Sequence, residues 1–278
     1  MRFGDWFSQG RGIVTVCKLA VGDIMEAEGS DLVDQKTEIQ EVLAAEGLVA
    51  FPEVDMARDL VDGIVDVAQA NGMGGIASNT VLLGWPDDPE LQVAFMRAMR
   101  RLEVINKSLV FGRIKPRLAY KRSGVKRTVD VWRGGLQRNG DLLLLLTYLL
   151  TRNTQWRRTQ VRILSIATTE TMKDHTELTL RRLLPETRMD AVVQVSIKEA
   201  GESVADVIQR ESADAEVVLM GLATPDRGDE TEYAQRLETL AGDLPVVFFV
   251  KNASLFIGEL VTPEAEEDPE EEPEPDEG

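Results

Sequence analysis

Residues 161–197 read VRILSIATTETMKDHTELTLRRLLPETRMDAVVQVSI, and this stretch decides the fold class. It begins with an apolar run, 161–167, and ends with a second one, 191–197. Between them, Thr169 opens an amphipathic helix that continues through Leu180. Runs that are apolar on both faces are typical of interior strands of a parallel sheet, because helices cover both sides of such a sheet. The stretch therefore predicts a β-α-β unit.

The same unit recurs along the chain, since short runs rich in Val and Ile return about every 25 to 35 residues. Further strands are predicted at 13–19, 48–54, 79–84, 108–111, 128–132, 216–221 and 244–250. Helical periodicity fills the intervals. Ser30 and Asp55 are predicted as N-caps, and Asn71-Gly72 as a helix end. The pattern predicts an α/β fold with mainly parallel sheets.

The spacing of these units predicts two tandem α/β subdomains. The first covers residues 1–112 and the second covers residues 141–260. A basic linker or excursion, 113–140, joins them. Residues 261–278 contain acids and prolines but no aromatic residue, a composition that predicts a disordered acidic tail.

Composition excludes several classes of protein. The 278 residues include one Cys and one His, so neither an internal disulfide nor a Cys/His zinc site is expected. The longest apolar run, 142–150, is about half of the ~20 residues that a membrane-spanning helix needs. The first residues have no apolar core of a signal peptide. We therefore expect a cytoplasmic chain with no membrane span.

The net charge of −17 is unevenly distributed. Residues 262–278 hold ten acids and no base, whereas residues 96–162 hold seventeen Lys and Arg against three acids. This basic segment predicts either a solvated face or a contact with anionic lipid or an acidic protein. Few aromatics interleave its charges, so nucleic acid is not an expected partner. The candidate contact residues are Arg100, Arg101, Lys121, Arg122, Lys126 and Arg127.

A glycine-rich segment, NGMGGIASNT at 71–80, resembles a phosphate loop only superficially. A phosphate loop follows a strand and opens a helix, whereas these glycines follow a helix and enter a strand. They are predicted to serve tight turns and close packing. The residues after two later strands, Gly84-Trp85-Pro86 and Gly221-Leu222, also lack phosphate-loop spacing. Trp85 is predicted to cap the sheet edge, with contact to a partner as the alternative.

Candidate catalytic groups are few. His175 lies on the flank of a predicted helix without a nucleophile motif. Cys17 lies in mid-strand, where burial is expected to keep the thiol protonated. We therefore expect no enzymatic activity, no cofactor and no metal.

Two segments together resemble a known family. Residues 72–86 are similar to the G-x-G-G-x-x-x-N-T-V-x-x-G-W-P signature of the C-terminal cytosolic domain of prokaryotic cation-chloride cotransporters, in the amino acid-polyamine-organocation transporter superfamily. VDVWR at 129–133, GDLLLLL at 140–146 and WRR at 156–158 resemble the D-x-W, leucine-run and W-R patterns of that domain. The resemblance covers about residues 10–167. The motif residues are Gly72, Gly74, Gly75, Asn79, Thr80, Gly84, Trp85, Pro86, Asp130, Trp132, Trp156 and Arg157.

The resemblance implies a pair of subdomains similar to universal stress proteins, without catalysis or a nucleotide site. It implies a homodimer at the inner face of the plasma membrane that regulates an attached transporter. Symport of chloride with potassium or sodium would belong to a membrane domain that this chain lacks. Family members carry a further strand and helix before the position of strand 13–19, so the first subdomain is expected to lack its first strand.

Two other functions remain open from the residues alone. One is a free-standing universal-stress-type protein that binds ATP at the carboxyl ends of the strands. The other is an adaptor that uses its acidic tail to bind basic partners.

Overall fold

The computed structural model describes residues 1–26, 29–73, 75–115, 127–134, 139–187 and 189–253. The helices are α1 (Arg2–Ser8), α2 (Gly29–Glu46), α3 (Leu60–Ala70), α4 (Pro89–Val104), α5 (Gly140–Arg152), α6 (Glu170–Thr187), α7 (Val204–Glu211) and α8 (Glu230–Ala241). The strands are β1 (Thr15–Val21), β2 (Phe51–Ala57), β3 (Gly72–Met73), β4 (Ile76–Ala77), β5 (Thr80–Gly84), β6 (Ser108–Ile114), β7 (Thr128–Trp132), β8 (Gln160–Ala167), β9 (Ala191–Ile197), β10 (Val217–Gly221) and β11 (Val246–Lys251).

Every predicted strand is present, with ends displaced by at most three residues. The sequence did not indicate α1 or the short antiparallel hairpin of β3 and β4. The predictions of Ser30 and Asp55 as N-caps are wrong, because Ser30 lies inside α2 and Asp55 lies inside β2. Asp59 caps α3 instead, and its carboxylate accepts hydrogen bonds from the backbone N–H groups of Val61 and Asp62.

One seven-stranded sheet runs through the molecule in the order β5-β6-β11-β10-β7-β8-β9. All neighbours in it are parallel except β6 and β11, which are antiparallel. The predicted α/β fold with a mainly parallel sheet is therefore confirmed. β7, the strand predicted within the basic segment 113–140, lies between β10 and β8. The proposed domain limits stay a prediction.

The β6–β11 pair relates two units of similar topology, which we call the first unit (residues 1–114) and the second unit (residues 127–253). In the second unit, the strand order is β9-β8-β7-β10-β11. In the first unit, β2 pairs with β1 and β5 pairs with β6. The described residues of the first unit include no strand between β1 and β5 that would correspond to β7. β1 and β2 therefore form a separate two-stranded sheet.

Helices cover both faces of the sheet. On one face α3 packs on α4, α4 on α8 and α8 on α7. Their apolar side chains surround the fully buried Met96, Met99, Phe111 and Phe249. On the other face α1 packs on α5, and the two helices share a cluster with Phe248. None of the described helices is long and apolar enough to cross a bilayer.

The seam between the two units, where β6 pairs with β11, requires a glycine. Gly112 of β6 lies opposite Phe248 of β11, and a Cβ at Gly112 would lie 2.9 Å from Cε1 of Phe248. The phenylalanine ring therefore packs directly on bare backbone at the seam, and any larger residue forces a buried ring to move.

We expect Gly112→Val to lower the free energy of unfolding by about 1–3 kcal/mol, because the added carbons overpack the seam. The measurement is urea unfolding followed by circular dichroism. Gly84→Val is the matched control, since a Cβ at Gly84 meets no atom within 4 Å. Equal unfolding midpoints for the two variants would contradict this role of Gly112.

Candidate functional site

The candidate site is the carboxyl edge of the parallel strands, where open α/β sheets bind their ligands. In the second unit the side chain of Asn139, which follows β7 in the chain, lies at this edge beside the ends of β10 and β11. Its Nδ2 donates to the backbone oxygen of Leu222 at 2.7 Å, and its Oδ1 accepts from the backbone N–H of Asn252 at 2.8 Å. A Cβ on Gly221 would lie 3.0 Å from Asn139. The amide thus closes the space between the ends of the two strands.

The loop that follows β10 is held by helix α4 of the first unit. The guanidinium of Arg100 donates to the backbone oxygen of Pro225 at 3.0 Å and to Oε1 of Glu230 at 2.9 Å. Oγ1 of Thr224 donates to Oε2 of Glu103 at 2.6 Å. Because Glu230 is buried, its pairing with Arg100 fixes the loop against the other unit.

The loop that follows β5 is held in the same way by helix α8 of the second unit. The indole N–H of Trp85 donates to Oε1 of Glu238, and Nε2 of Gln92 donates to the same oxygen at 3.0 Å. Arg113 pairs with the other carboxylate oxygen at 3.3 Å. Trp85 is buried beside the ring of Phe111, so the prediction that it caps the sheet edge is confirmed.

Asp130 and Trp132 of the D-x-W motif meet in one buried network. Arg162 of β8 donates Nε to Oδ1 of Asp130 at 2.8 Å and Nη2 to Oδ2 at 2.6 Å. Nη2 also donates to the backbone oxygen of Glu211 at the end of α7. The indole N–H of Trp132 donates to Oγ of Ser212 at 2.9 Å. The motif therefore ties β7, β8 and α7 together.

Burial is the largest influence on the pKa of Asp130 and raises it, while the hydrogen bonds from Arg162 and Ser212 act in the opposite direction. The carboxylate is fully buried, and the guanidinium of Arg162 is one-fifth exposed. A buried, bidentate pair of this kind stabilises the fold only while both partners are present.

The W-R motif divides between core and surface. Trp156 is buried, and its ring lies edge-on to Trp6 of α1 with centroids 5.4 Å apart. The guanidinium of Arg127 lies 4.8 Å above the same ring, in cation–π geometry. Arg157 is exposed. Trp156 therefore joins α1 to the second unit, whereas Arg157 contributes to the surface.

The glycine-rich segment forms a turn rather than a ligand loop, which confirms the prediction for two of its glycines. A Cβ at Gly72 would lie 2.7 Å from the backbone oxygen of Ile76 across the β3–β4 hairpin. Gly75 has φ +86°, which L-residues with side chains rarely adopt. Gly74 lies outside the described residues.

The remaining residues of that motif lie in β5 and in the segments directly before and after it. The backbone oxygen of Asn79 accepts from the N–H of Ser108 at 2.9 Å, which starts the β5–β6 pairing. Thr80 and Gly84 are the first and last residues of β5. The backbone oxygen of Pro86 accepts from Gln92 at 2.9 Å and helps to fix the loop above α4.

Several bases of the basic segment are paired with acids within the molecule. Arg100 is turned inward as described, so we remove it from the candidate contact residues. Arg127 pairs with the partly buried Glu216 at 3.3 Å and is removed for the same reason. Arg101 pairs with Asp62 of α3 but remains 47% exposed. Lys121, Arg122 and Lys126 lie outside the described residues.

Cys17 and His175 show no catalytic arrangement. The thiol of Cys17 donates to Oδ2 of Asp55 at 3.1 Å. Partial burial, followed by the hydrogen bond and the charge of Asp55, raises the pKa of the thiol to about 12. The thiol is therefore protonated at neutral pH, as expected. His175 lies on the exposed side of α6.

Sequence reasoning missed the residues that close the carboxyl edge. Neither Asn139 nor Glu238 was singled out as a site residue. Each acts through a partner more than a hundred residues away. No local pattern in the sequence marks such a contact. The only hints are an Asn near the strand that ends in a glycine, and a Trp that is followed by Pro.

Comparison with known proteins gives a family match and a fold match. A family model described as solute carrier family 12 matches residues 94–203, which include the C-terminal part of α4, the D-x-W motif and β9. The crystal structure of the cytoplasmic domain of a prokaryotic cation chloride cotransporter superposes with a TM-score of 0.57 and 16% identity, covering 86% of this chain and 84% of that chain. A universal stress protein from Archaeoglobus fulgidus DSM 4304 gives a TM-score of 0.50 and 14% identity, covering 91% and 92%.

These matches agree with the geometry. The two solved structures show that the fold is that of proteins with universal-stress-type topology, as predicted. The matched segment contains Asp130, Trp132 and Arg162 of the buried network, and the α4 residues Arg100 and Glu103 that hold the β10 loop.

We expect Asp130→Asn to lower the free energy of unfolding by about 3–5 kcal/mol, because it leaves the guanidinium of Arg162 without its counter-charge. The measurement is chemical unfolding at neutral pH. Glu177→Gln is the control, since it removes an exposed pair with Arg181 worth about 0.5 kcal/mol or less. If both variants lost the same small amount, the Asp130 network would not have the structural role described.

Proposed function

We propose that the chain is the cytosolic, non-catalytic part of a cation-chloride cotransport system, and that it regulates and dimerises a membrane transporter of solute carrier family 12. The observation that carries the proposal is the family match over residues 94–203. The fold match to a cytoplasmic domain of a prokaryotic cation chloride cotransporter supports it.

The geometry of the carboxyl edge supports a mechanical role. Asn139 fills the place where related folds would admit a ligand, and each edge loop is fixed to a helix of the other unit. These contacts join the two units through both edge loops. An arrangement of this kind suits the transmission of a contact from one protein to another better than it suits the capture of a small molecule.

We propose four further features of this role. The chain forms a homodimer, contacts the membrane domain of the transporter, and lies at the inner face of the plasma membrane. The transported ions are chloride with potassium or sodium. Arg101, together with Lys121, Arg122 and Lys126, provides the basic surface toward anionic lipid or an acidic loop.

The test is chloride transport in the source organism. We expect deletion of the coding region to change the uptake of radioactive chloride that depends on potassium or sodium. Re-expression of the chain should restore uptake, and an affinity tag on it should recover the family 12 transporter from detergent-solubilised membranes. Re-expression of the Glu177→Gln variant controls for the presence of a mutation. Unchanged uptake after deletion, with no transporter recovered, would contradict the proposal.

The likeness to a universal stress protein favours one second candidate, a nucleotide-binding protein. We expect calorimetric titration with magnesium ATP to show no saturable binding, because Asn139 and Gly221 are in contact where a nucleotide would enter. An unrelated ATP-binding protein at the same concentration is the positive control. A stoichiometric ATP isotherm from the wild-type chain would favour this second candidate instead.

A further inference from the structure

Four exposed arginines lie at the amino edge of the second unit, opposite the edge where Asn139 lies. Arg152 is the last residue of α5, Arg157 and Arg158 shortly precede β8, and Arg11 follows α1. Within the described part of the chain, none of the four pairs with a carboxylate. We call these four residues the arginine surface.

Contacts between α1 and the end of α5 bring the four positions together. Nε2 of Gln9 donates to the backbone oxygen of Leu149 at 2.8 Å, and Nδ2 of Asn153 donates to the backbone oxygen of Trp6 at 2.9 Å. Trp156 lies edge-on to the ring of Trp6. Each arginine is within two residues of one of these contacts in the chain. Three separate segments therefore contribute to one surface.

The arginine surface keeps its charge because nearby acids are engaged elsewhere. Glu216, just before β10, pairs with Arg127, and Asp243, before β11, pairs with Lys115. Asp190, just before β9, is exposed. This edge thus differs from the seam, where the bases described above are paired within the chain.

Two apolar or aromatic groups accompany the arginines. The guanidinium of Arg152 lies 5.0 Å from the ring centroid of Tyr148, and its Nε donates to the phenolic oxygen at 3.2 Å. Ile13, two residues after Arg11, is 52% exposed. Basic side chains beside a tyrosine and an exposed aliphatic group are typical of surfaces that contact lipid headgroups.

The net charge of −17 does not prevent such a contact. Exposed charges separated by more than about 10 Å are largely screened from each other near physiological ionic strength. The charges next to the point of contact therefore decide whether it forms. At the arginine surface these are guanidinium groups, which bind phosphate oxygens in a bidentate manner.

We propose that the arginine surface binds the phosphate groups of anionic lipids. An acidic protein segment would have to present its carboxylates at the spacing of the arginines. A lipid leaflet offers mobile phosphate groups, so arginines from three separate segments can each find one. This inference rests on the proposed function, and it adds the surface and its ligand.

The test is co-sedimentation of the full chain with phosphatidylcholine vesicles, prepared with and without phosphatidylglycerol. We expect binding only to the vesicles that contain the anionic lipid. Combining Arg157→Gln with Arg158→Gln should weaken this binding about twentyfold, since each base near an anionic leaflet strengthens binding about fivefold. Urea unfolding curves of the variant show whether it is folded.

The matched control combines Arg97→Gln with Arg227→Gln. It removes the same charge from exposed positions on α4 and after β10, and neither arginine pairs with a described carboxylate. We expect this variant to bind like the wild-type chain. Inorganic phosphate should displace no more chain from the vesicles than potassium chloride of equal ionic strength does.

Other outcomes overturn the proposal. Equal binding to both kinds of vesicle, or an equal loss in both double variants, would remove the role of the arginine surface. Displacement by phosphate beyond that by chloride would assign the surface to free phosphate. If the full chain bound no vesicles but a chain ending at Val261 did, the acidic tail would be the occupant.

The outcomes also separate this inference from the proposed function. If the chain binds no vesicles, but the tagged chain still recovers the transporter and the Arg157/Arg158 variant does not, the surface contacts protein. The lipid proposal then fails and the proposed function stands. Vesicle binding as expected, together with chloride uptake that survives deletion of the coding region, would contradict the proposed function alone.

Discussion

The antiparallel pairing of β6 with β11 is the constraint on which the rest of the structure depends. It joins two parallel half-sheets that run in opposite directions. The carboxyl edge of each half consequently lies beside the helices of the other half. For this reason Glu238 of α8 can hold the loop after β5, and Arg100 of α4 can hold the loop after β10. Without the pairing, both loops would lose their anchors.

The same pairing explains the distribution of charge. The basic residues between positions 96 and 162 appear unbalanced in the sequence, but some of their partners come from the other side of the seam. Arg113 of β6 pairs with Glu238 of α8, and Arg100 of α4 pairs with Glu230 of α8 at 2.9 Å. Partly buried pairs of this kind fix relative position more than they add stability. Part of the excess of positive charge is thus a property of an interface within the chain.

The sequence predicts those features of the fold that depend on residues close together in the chain. Buried strands and amphipathic helices follow from periodicity, so β9 and β7 were located to the residue. Asp55 was misassigned as an N-cap. An acid shortly before a helix has the sequence pattern of a cap, even where a strand still continues through that acid. Asn139 and Glu238 could not be predicted, since their roles are defined by backbone and side chains that topology brings from distant parts of the chain.

The unequal burial of the two units connects fold with function. The second unit has a complete five-strand layer and an occupied carboxyl edge, whereas β1 and β2 of the first unit leave several large apolar side chains exposed, among them Val21 and Phe51. Apolar side chains contribute most when they leave water, so the first unit has more free energy to gain from a partner than the second. Those exposed apolar side chains are the feature of the fold that best supports the proposed regulatory role.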